Sequence, residues 1–193
     1  IAASRAPAPI ASVDISVLGE IAEQDVRVLQ LSALKGVFSV LVEDPVSYVN
    51  APVLAADRGV ESTLTTDLDC PEHRAVVRVK LALTDGRSIV VAGTVTGPRD
   101  IEKLIEIDGF EIDVPISSHM AFYTYDDKPG IVGVVGQILG SANVNIAGMQ
   151  VSRTKAGGEA LIALTVDSAI PADTLDAIAA GIGAAAVNAV DLD

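Results

Sequence analysis

The stretch Tyr125-Asp126-Asp127-Lys128-Pro129-Gly130 decides how the second half of this chain folds. Residues 120–125 before it read as a strand. After it Ile131, Val134, Val135, Ile138 and Leu139 recur at helical spacing. Proline lacks an N–H, so Pro129 fits the first turn of that helix, where the N–H would have no partner. Working outward, residues 144–152 read as a second strand. Lys155-Ala156-Gly157-Gly158 reads as a hairpin turn, and residues 159–166 as the strand paired through it. Residues 168–171 open a second helix with Leu175, Ile178 and Ile182 on one face, and residues 187–192 close as a strand. The order is βαββαβ, a split βαβ sandwich with both helices on one face of the sheet.

The turn itself carries chemistry. It joins a strand end to a helix start, so the backbone N–H groups of Gly130 and Ile131 point outward. Together with the positive helix end they favour an anion by about 0.3–1 kcal/mol each at exposed sites. A ligand carboxylate fits them, and Asp127 beside them offers a counter-charge for an ammonium group. Asn143 and Asn145, leading into the next strand, are expected to supply amide donors and acceptors nearby. A second reading stays open on the residues alone: a plain capped turn, with Asp127 as N-cap and Asn145 as a loop residue.

The first part of the chain reads as an α/β domain. Residues 12–18 alternate, with Val13, Ile15 and Val17 against Ser12, Asp14 and Ser16, as in a half-buried strand. Leu34, Val37, Phe38 and Leu41 form one helical face, stopped by Glu43-Asp44-Pro45. Residues 47–58 read as a second helix ended by Gly59, with Pro52 either interrupting it or marking its true first turn. Val77, Val79, Leu81 and Leu83 line one face of a strand. Asp85-Gly86 is then expected to turn a hairpin with both residues at positive φ, and residues 88–96 return. Gly97-Pro98 ends that strand, and residues 101–107 lead to the turn Asp108-Gly109 and a short strand at residues 110–114. The opening, Ala-Ala-Ser-Arg-Ala-Pro-Ala-Pro after Ile1, has the composition of a linker, as if the chain were part of a longer protein.

Composition narrows the function. The net charge is −13, with 26 acidic residues against 13 basic ones, and no basic run occurs. Three Tyr, three Phe and no Trp leave little to stack on bases, so nucleic acid and anionic membranes are poor partners. Apolar runs fall well short of the ~20 residues a membrane span needs. The single cysteine, Cys70, cannot form an intrachain disulfide and fits a reducing, cytoplasmic setting. With two histidines, His73 and His119, metal sites and catalytic triads have little to build on. His73, in Pro71-Glu72-His73-Arg74, is either a ligand contact or a solvated loop residue. Gly181-Ile182-Gly183-Ala184-Ala185-Ala186 matches a dinucleotide fingerprint by letters alone. It follows a helix rather than a strand, and no βαβ unit comes after it, so it reads as a helix end.

The run Tyr125-Asp126-Asp127-Lys128-Pro129-Gly130, the helix end Leu139-Gly140 and then Val144-Asn145-Ile146 resemble the ACT domain, a βαββαβ module that senses amino acids in metabolic enzymes. Upstream, Leu34-Lys35-Gly36-Val37-Phe38, Tyr48-Val49-Asn50-Ala51-Pro52, Gly59-Val60, Gly93-Thr94 and residues 103–109 resemble the intervening, or allosteric substrate-binding, domain of long-form D-3-phosphoglycerate dehydrogenases. The resemblance implies an α+β chain: a linker over residues 1–11, an α/β intervening domain over 12–117 and a ferredoxin-like ACT domain over 118–193. It implies a parent that oxidises 3-phosphoglycerate with NAD at the entry to serine synthesis, the catalytic and NAD-binding domains lying outside this chain. No cofactor is then expected here.

The same resemblance implies feedback inhibition by L-serine bound between paired ACT domains. The effector residues would be Tyr125, Asp127, Lys128, Pro129, Gly130, Ile131 and Asn143, with Asn145 reaching in from the partner copy of a homo-oligomer. An anion site in the intervening domain would draw on Lys103, Arg74, Arg78, Arg99 and His73. Phe110, Glu111 and Pro115 stand where relatives often carry basic residues, which removes positive charge from it. Two other assignments share these features: the regulatory subunit of an iron–sulfur L-serine dehydratase, and a stand-alone amino-acid-binding module. One cysteine cannot hold a cluster, which counts against the dehydratase.

Overall fold

A computed structural model describes residues 1–155 and 157–192. The expected hairpin residue Ala156 and the end of the expected second domain, Asp193, lie outside the described residues. The chain divides into two compact units, Ile1–Gly109 and Phe110–Asp193.

The first unit is organised on β1 (Ile10–Gly19). Alternation puts Val13, Ile15 and Val17 on one face, all fully buried. The helices α1 (Arg27–Leu41) and α2 (Ala51–Asp57) follow and add Leu34, Val37, Phe38, Ala51 and Ala55 to the same core. The chain then returns as β2 (Glu61–Asp67), parallel to β1, the long connection that parallel pairing requires. On the other side of β1 come β3 (Ala75–Leu83), β4 (Ser88–Thr96) and β5 (Ile101–Ile107), each antiparallel to its neighbour. The order within the unit is β2-β1-β3-β4-β5. The outer face is polar: Asp14 stands opposite Lys80 and Ser16 opposite Arg78.

Two expectations change. The opening residues are not a free linker. Ala3–Arg5 form a 3-10 turn, Ala2 and Ala3 are buried in the core, and Arg5 reaches Asp108 at 2.8 Å. Alanines this small fill gaps under α1 that only the folded unit creates. At the β3–β4 turn only Gly86 takes positive φ (+86°). The Gly86 N–H donates to Leu83 O and the Leu83 N–H to Arg87 O, a three-residue loop rather than a two-residue one. The Asp85 carboxylate accepts from the backbone N–H and guanidinium of Arg87, which holds that longer loop together. Asp108 and Gly109, by contrast, both take positive φ. Pro52 sits in the first turn of α2, resolving its two readings in favour of a helix start. The strand β2 was not anticipated.

The second unit begins with β6 (Phe110–Pro115), which lies against β8 and β9; its Asp113 N–H donates to Gln150 Oε1 at 2.8 Å. Then come β7 (His119–Asp126), α3 (Ile131–Ser141), β8 (Ile146–Arg153), β9 (Glu159–Val166), α4 (Ala172–Ile182) and β10 (Ala186–Asp191). The sheet order is β10-β7-β9-β8, antiparallel throughout: β8 and β9 pair as a hairpin, while β9 separates β7 from β8 and β7 separates β9 from β10, as in a split βαβ sandwich. Ala121, Tyr123 and Tyr125 of β7 share one core with Ile131, Val135 and Leu139 of α3 and Ile178 and Ile182 of α4. The helices touch closely: a Cβ on Gly181 would stand 3.0 Å from Val134 Cγ1. The α+β architecture, βαββαβ order included, is therefore as the sequence implies.

Candidate effector site

The turn after β7 is built from its backbone outward. Gly130 is the N-cap of α3, at φ +93°, a left-handed conformation that L side chains resist. Pro129 therefore lies just outside the helix rather than in its first turn. Among the described residues no side chain caps α3: its first intrahelical bond runs from the Val134 N–H to Gly130 O. The N–H groups of Ile131, Val132 and Gly133 are left as donors at a positive helix end. The capped-turn reading, with Asp127 as N-cap, does not hold.

Asp127 is instead tied to the β8–β9 hairpin. Its backbone N–H donates to Gly158 O at 2.8 Å. Its Oδ2 accepts from Arg153 Nη1 at 3.1 Å and from the Gly157 N–H at 3.4 Å. Arg153 was not among the residues singled out from the sequence. The hairpin register could have exposed it: Tyr125 and Arg153 flank Ala160 on adjoining strands, so both belong to one row across the sheet. Tyr125 is buried, and burial first, then the Asp127 carboxylate, pushes its hydroxyl above the usual phenol range, with Arg153 acting the other way.

Not every expected contact gathers here. The Lys128 ammonium lies 3.9 Å from where a Gly183 side chain would begin, over the C-terminal end of α4, a position that suits a cation. Asn143 and Asn145 sit beyond the other end of α3, about 15 Å away for a helix of that length. Asn143 turns the chain at φ +56°, and Asn145 Nδ2 donates to Asp167 Oδ2 at 2.7 Å. Within one chain neither amide is near Asp127, contrary to what spacing in the sequence suggests.

The candidate anion residues of the first unit do not converge. His73 and Arg74 line an open cleft of about 820 Å³, which also carries the carboxylates of Glu20, Glu23, Glu72 and Asp100. Arg74 Nε is spent on Glu20 at 2.6 Å, and Arg78 on Glu106 at 2.5 Å. Arg99 is not among the cleft's lining residues, and Lys103 stands opposite Thr94 in the β4–β5 register. The stretch at residues 181–186 finishes α4, with Gly183 as its left-handed C-cap, and so does not fit a dinucleotide.

Residues 3–108 match the D-3-phosphoglycerate dehydrogenase intervening domain, and residues 119–180 match the ACT domain. Among curated relatives, the D-3-phosphoglycerate dehydrogenase of Mycobacterium leprae is 41% identical over 182 residues, covering 94% of this chain and 34% of that protein. That of Synechocystis is 35% identical over 161 residues, covering 83% and 29%. That of Bacillus subtilis is 31% identical over 159 residues, covering 82% and 30%. The chain thus spans about a third of the length of the relatives it matches. With an intervening domain and an ACT domain in succession, it belongs to the D-3-phosphoglycerate dehydrogenase family and represents that family's regulatory region.

Proposed function

We propose that this region binds L-serine as the feedback inhibitor of an NAD-dependent dehydrogenase that oxidises 3-phosphoglycerate to 3-phosphohydroxypyruvate, and that the site forms between two ACT domains. The observation that carries the reading is the uncapped N-terminus of α3 set beside the Asp127 carboxylate. One end takes the carboxylate of a zwitterion and the other its ammonium.

The sheet edge supplies the reason for pairing. β8 is an outer strand, so half of its backbone groups have no ladder partner, and Val151 on it and Val132 on α3 are exposed. Two copies related by a two-fold axis and joined along β8 would run antiparallel. Centred on residues 149 and 150, that register sets Ile146 of one copy against Arg153 of the other. Arg153 touches Asp127 in its own chain. The partner's Asn145 is thereby carried to the turn that its own chain holds far from it. The acidic cleft of the first unit supports no comparable reading for a phosphate or an anionic substrate.

Calorimetric titration with L-serine, glycine and other amino acids tests the assignment. Serine should bind, and Asp127→Ala should abolish the heat. If another amino acid binds and serine does not, the effector is misassigned.

A further inference from the structure

We infer that Arg153 sets the affinity of the effector site by competing with the ligand's ammonium group for Asp127, an inference that rests on the amino-acid site proposed above. The ammonium of a bound amino acid needs the Asp127 carboxylate, and the Arg153 guanidinium lies 3.1 Å from its Oδ2. Arg153 is well placed to yield. Within one copy its side chain is 58% exposed while that of Asp127 is 20% exposed, so the arginine is the less confined partner of the two. Asp127 stays oriented when the arginine leaves, because the Gly157 N–H shares the same oxygen and the Asp127 backbone is tied to Gly158. An ammonium settling on Oδ1 would still sit a carboxylate's width from the guanidinium, so the two cations repel even when both are accommodated. Binding is therefore an exchange of one cation for another on Asp127, not the making of a new ion pair.

The exchange has a distinctive outcome. An exposed arginine–carboxylate pair is weak, so removing the competitor should tighten serine binding by about two- to five-fold. Arg153→Gln is the informative variant, and Arg153→Lys, which keeps the charge, should stay near the wild-type affinity. Salt separates exchange from simple attraction: the wild type trades one pair for another, whereas Arg153→Gln makes a pair anew. Its affinity should consequently fall more steeply with ionic strength. Replacing serine by 3-hydroxypropanoate, which lacks the ammonium, should erase the gain from Arg153→Gln. If, at a protein concentration where sedimentation shows both proteins dimeric, the wild type binds serine through Asp127 but Arg153→Gln binds it equally or more weakly, Arg153 is a support for the carboxylate and the exchange is wrong. If neither protein binds any amino acid, or Asp127→Ala binds like the wild type, the site itself is misread.

Discussion

At the scale of single residues, Tyr123 holds the clearest unsettled account. Its side chain is fully buried in the core of the second unit, and its hydroxyl has no hydrogen-bond partner among the described residues. A buried hydroxyl left unpaired costs about 1–3 kcal/mol of desolvation. Tyr123→Phe keeps the ring and removes that cost, so it should raise stability by about 1 kcal/mol in thermal or urea unfolding. The same burial, helped by Asp176, pushes the phenol's ionisation well above its ordinary value. The unfolded chain then loses the proton first. The contribution is intact below the unfolded value of about 10 and fades as pH rises beyond it. Wild-type stability should fall above about pH 10, and Tyr123→Phe should flatten that fall, leaving the part due to Tyr125. Nothing in the sequence around Tyr123 betrays this. Alternation shows that the ring points inward, but whether a hydroxyl finds a partner depends on what α4 presents above it. Asp127 was legible for a related reason and to a similar limit: its place beside a helix start follows from Pro129 and Gly130, whereas its arginine comes from a strand 26 residues on.

At the scale of elements, legibility tracked how much of an element's burial is written in its own pattern. β1, α1, β3, α3 and β9 carry continuous apolar faces, and each lies where periodicity puts it. β2 reads Glu-Ser-Thr-Leu-Thr-Thr-Asp and has no buried residue, so its strand character comes from pairing with β1 rather than from a face of its own. The 3-10 turn at Ala3–Arg5 fails for the opposite reason. Ala3 and the preceding Ala2 are buried, but Ala and Pro in a run look the same in a linker and in a tightly packed opening. Junctions between elements are where glycine becomes decisive. Gly19, where β1 ends, has φ +83° and ψ −159°, a region essentially confined to glycine. A Cβ there would stand 2.4 Å from Arg74 O, the acceptor for the Glu20 N–H. Gly109 has φ +85° but open space around it. Gly19→Ala should therefore cost about 3 kcal/mol or more, through strain plus a backbone clash. Gly109→Ala should cost only about 1–2 kcal/mol, the penalty of the left-handed conformation alone. Urea midpoints of the two variants, measured side by side, check the difference; equal losses would mean that the Gly19 junction gives way.

At the scale of the whole molecule, the separation of Asp127 and Asn145 by the length of α3 makes a quantitative demand. If the two residues serve one ligand, they must come from different copies, and each dimer holds two such composite sites. Asp127→Ala and Asn145→Ala should each abolish serine binding by calorimetry when studied alone. Mixed in equal amounts and allowed to exchange subunits, half of the dimers become mixed. In each of those, one site joins the intact Asp127 of one copy to the intact Asn145 of the other, while the second site carries both defects. Binding capacity should return to about one-quarter of the wild-type value, with wild-type affinity at the restored sites. A site contained within one chain, or two sites that act independently, would give no recovery on mixing. The same geometry links occupancy to assembly: ligand that binds only the pair favours the pair by mass action. Sedimentation at low protein concentration should then shift from monomer towards dimer as serine is added, and the shift should vanish in either single variant. Because the edge proposed to pair with itself is a strand of a chain with a net charge of −13, that association should also strengthen with salt. Arg153→Gln adds to the negative charge while freeing Asp127, so it should weaken dimerisation at low salt even as it tightens serine binding within the dimers that form.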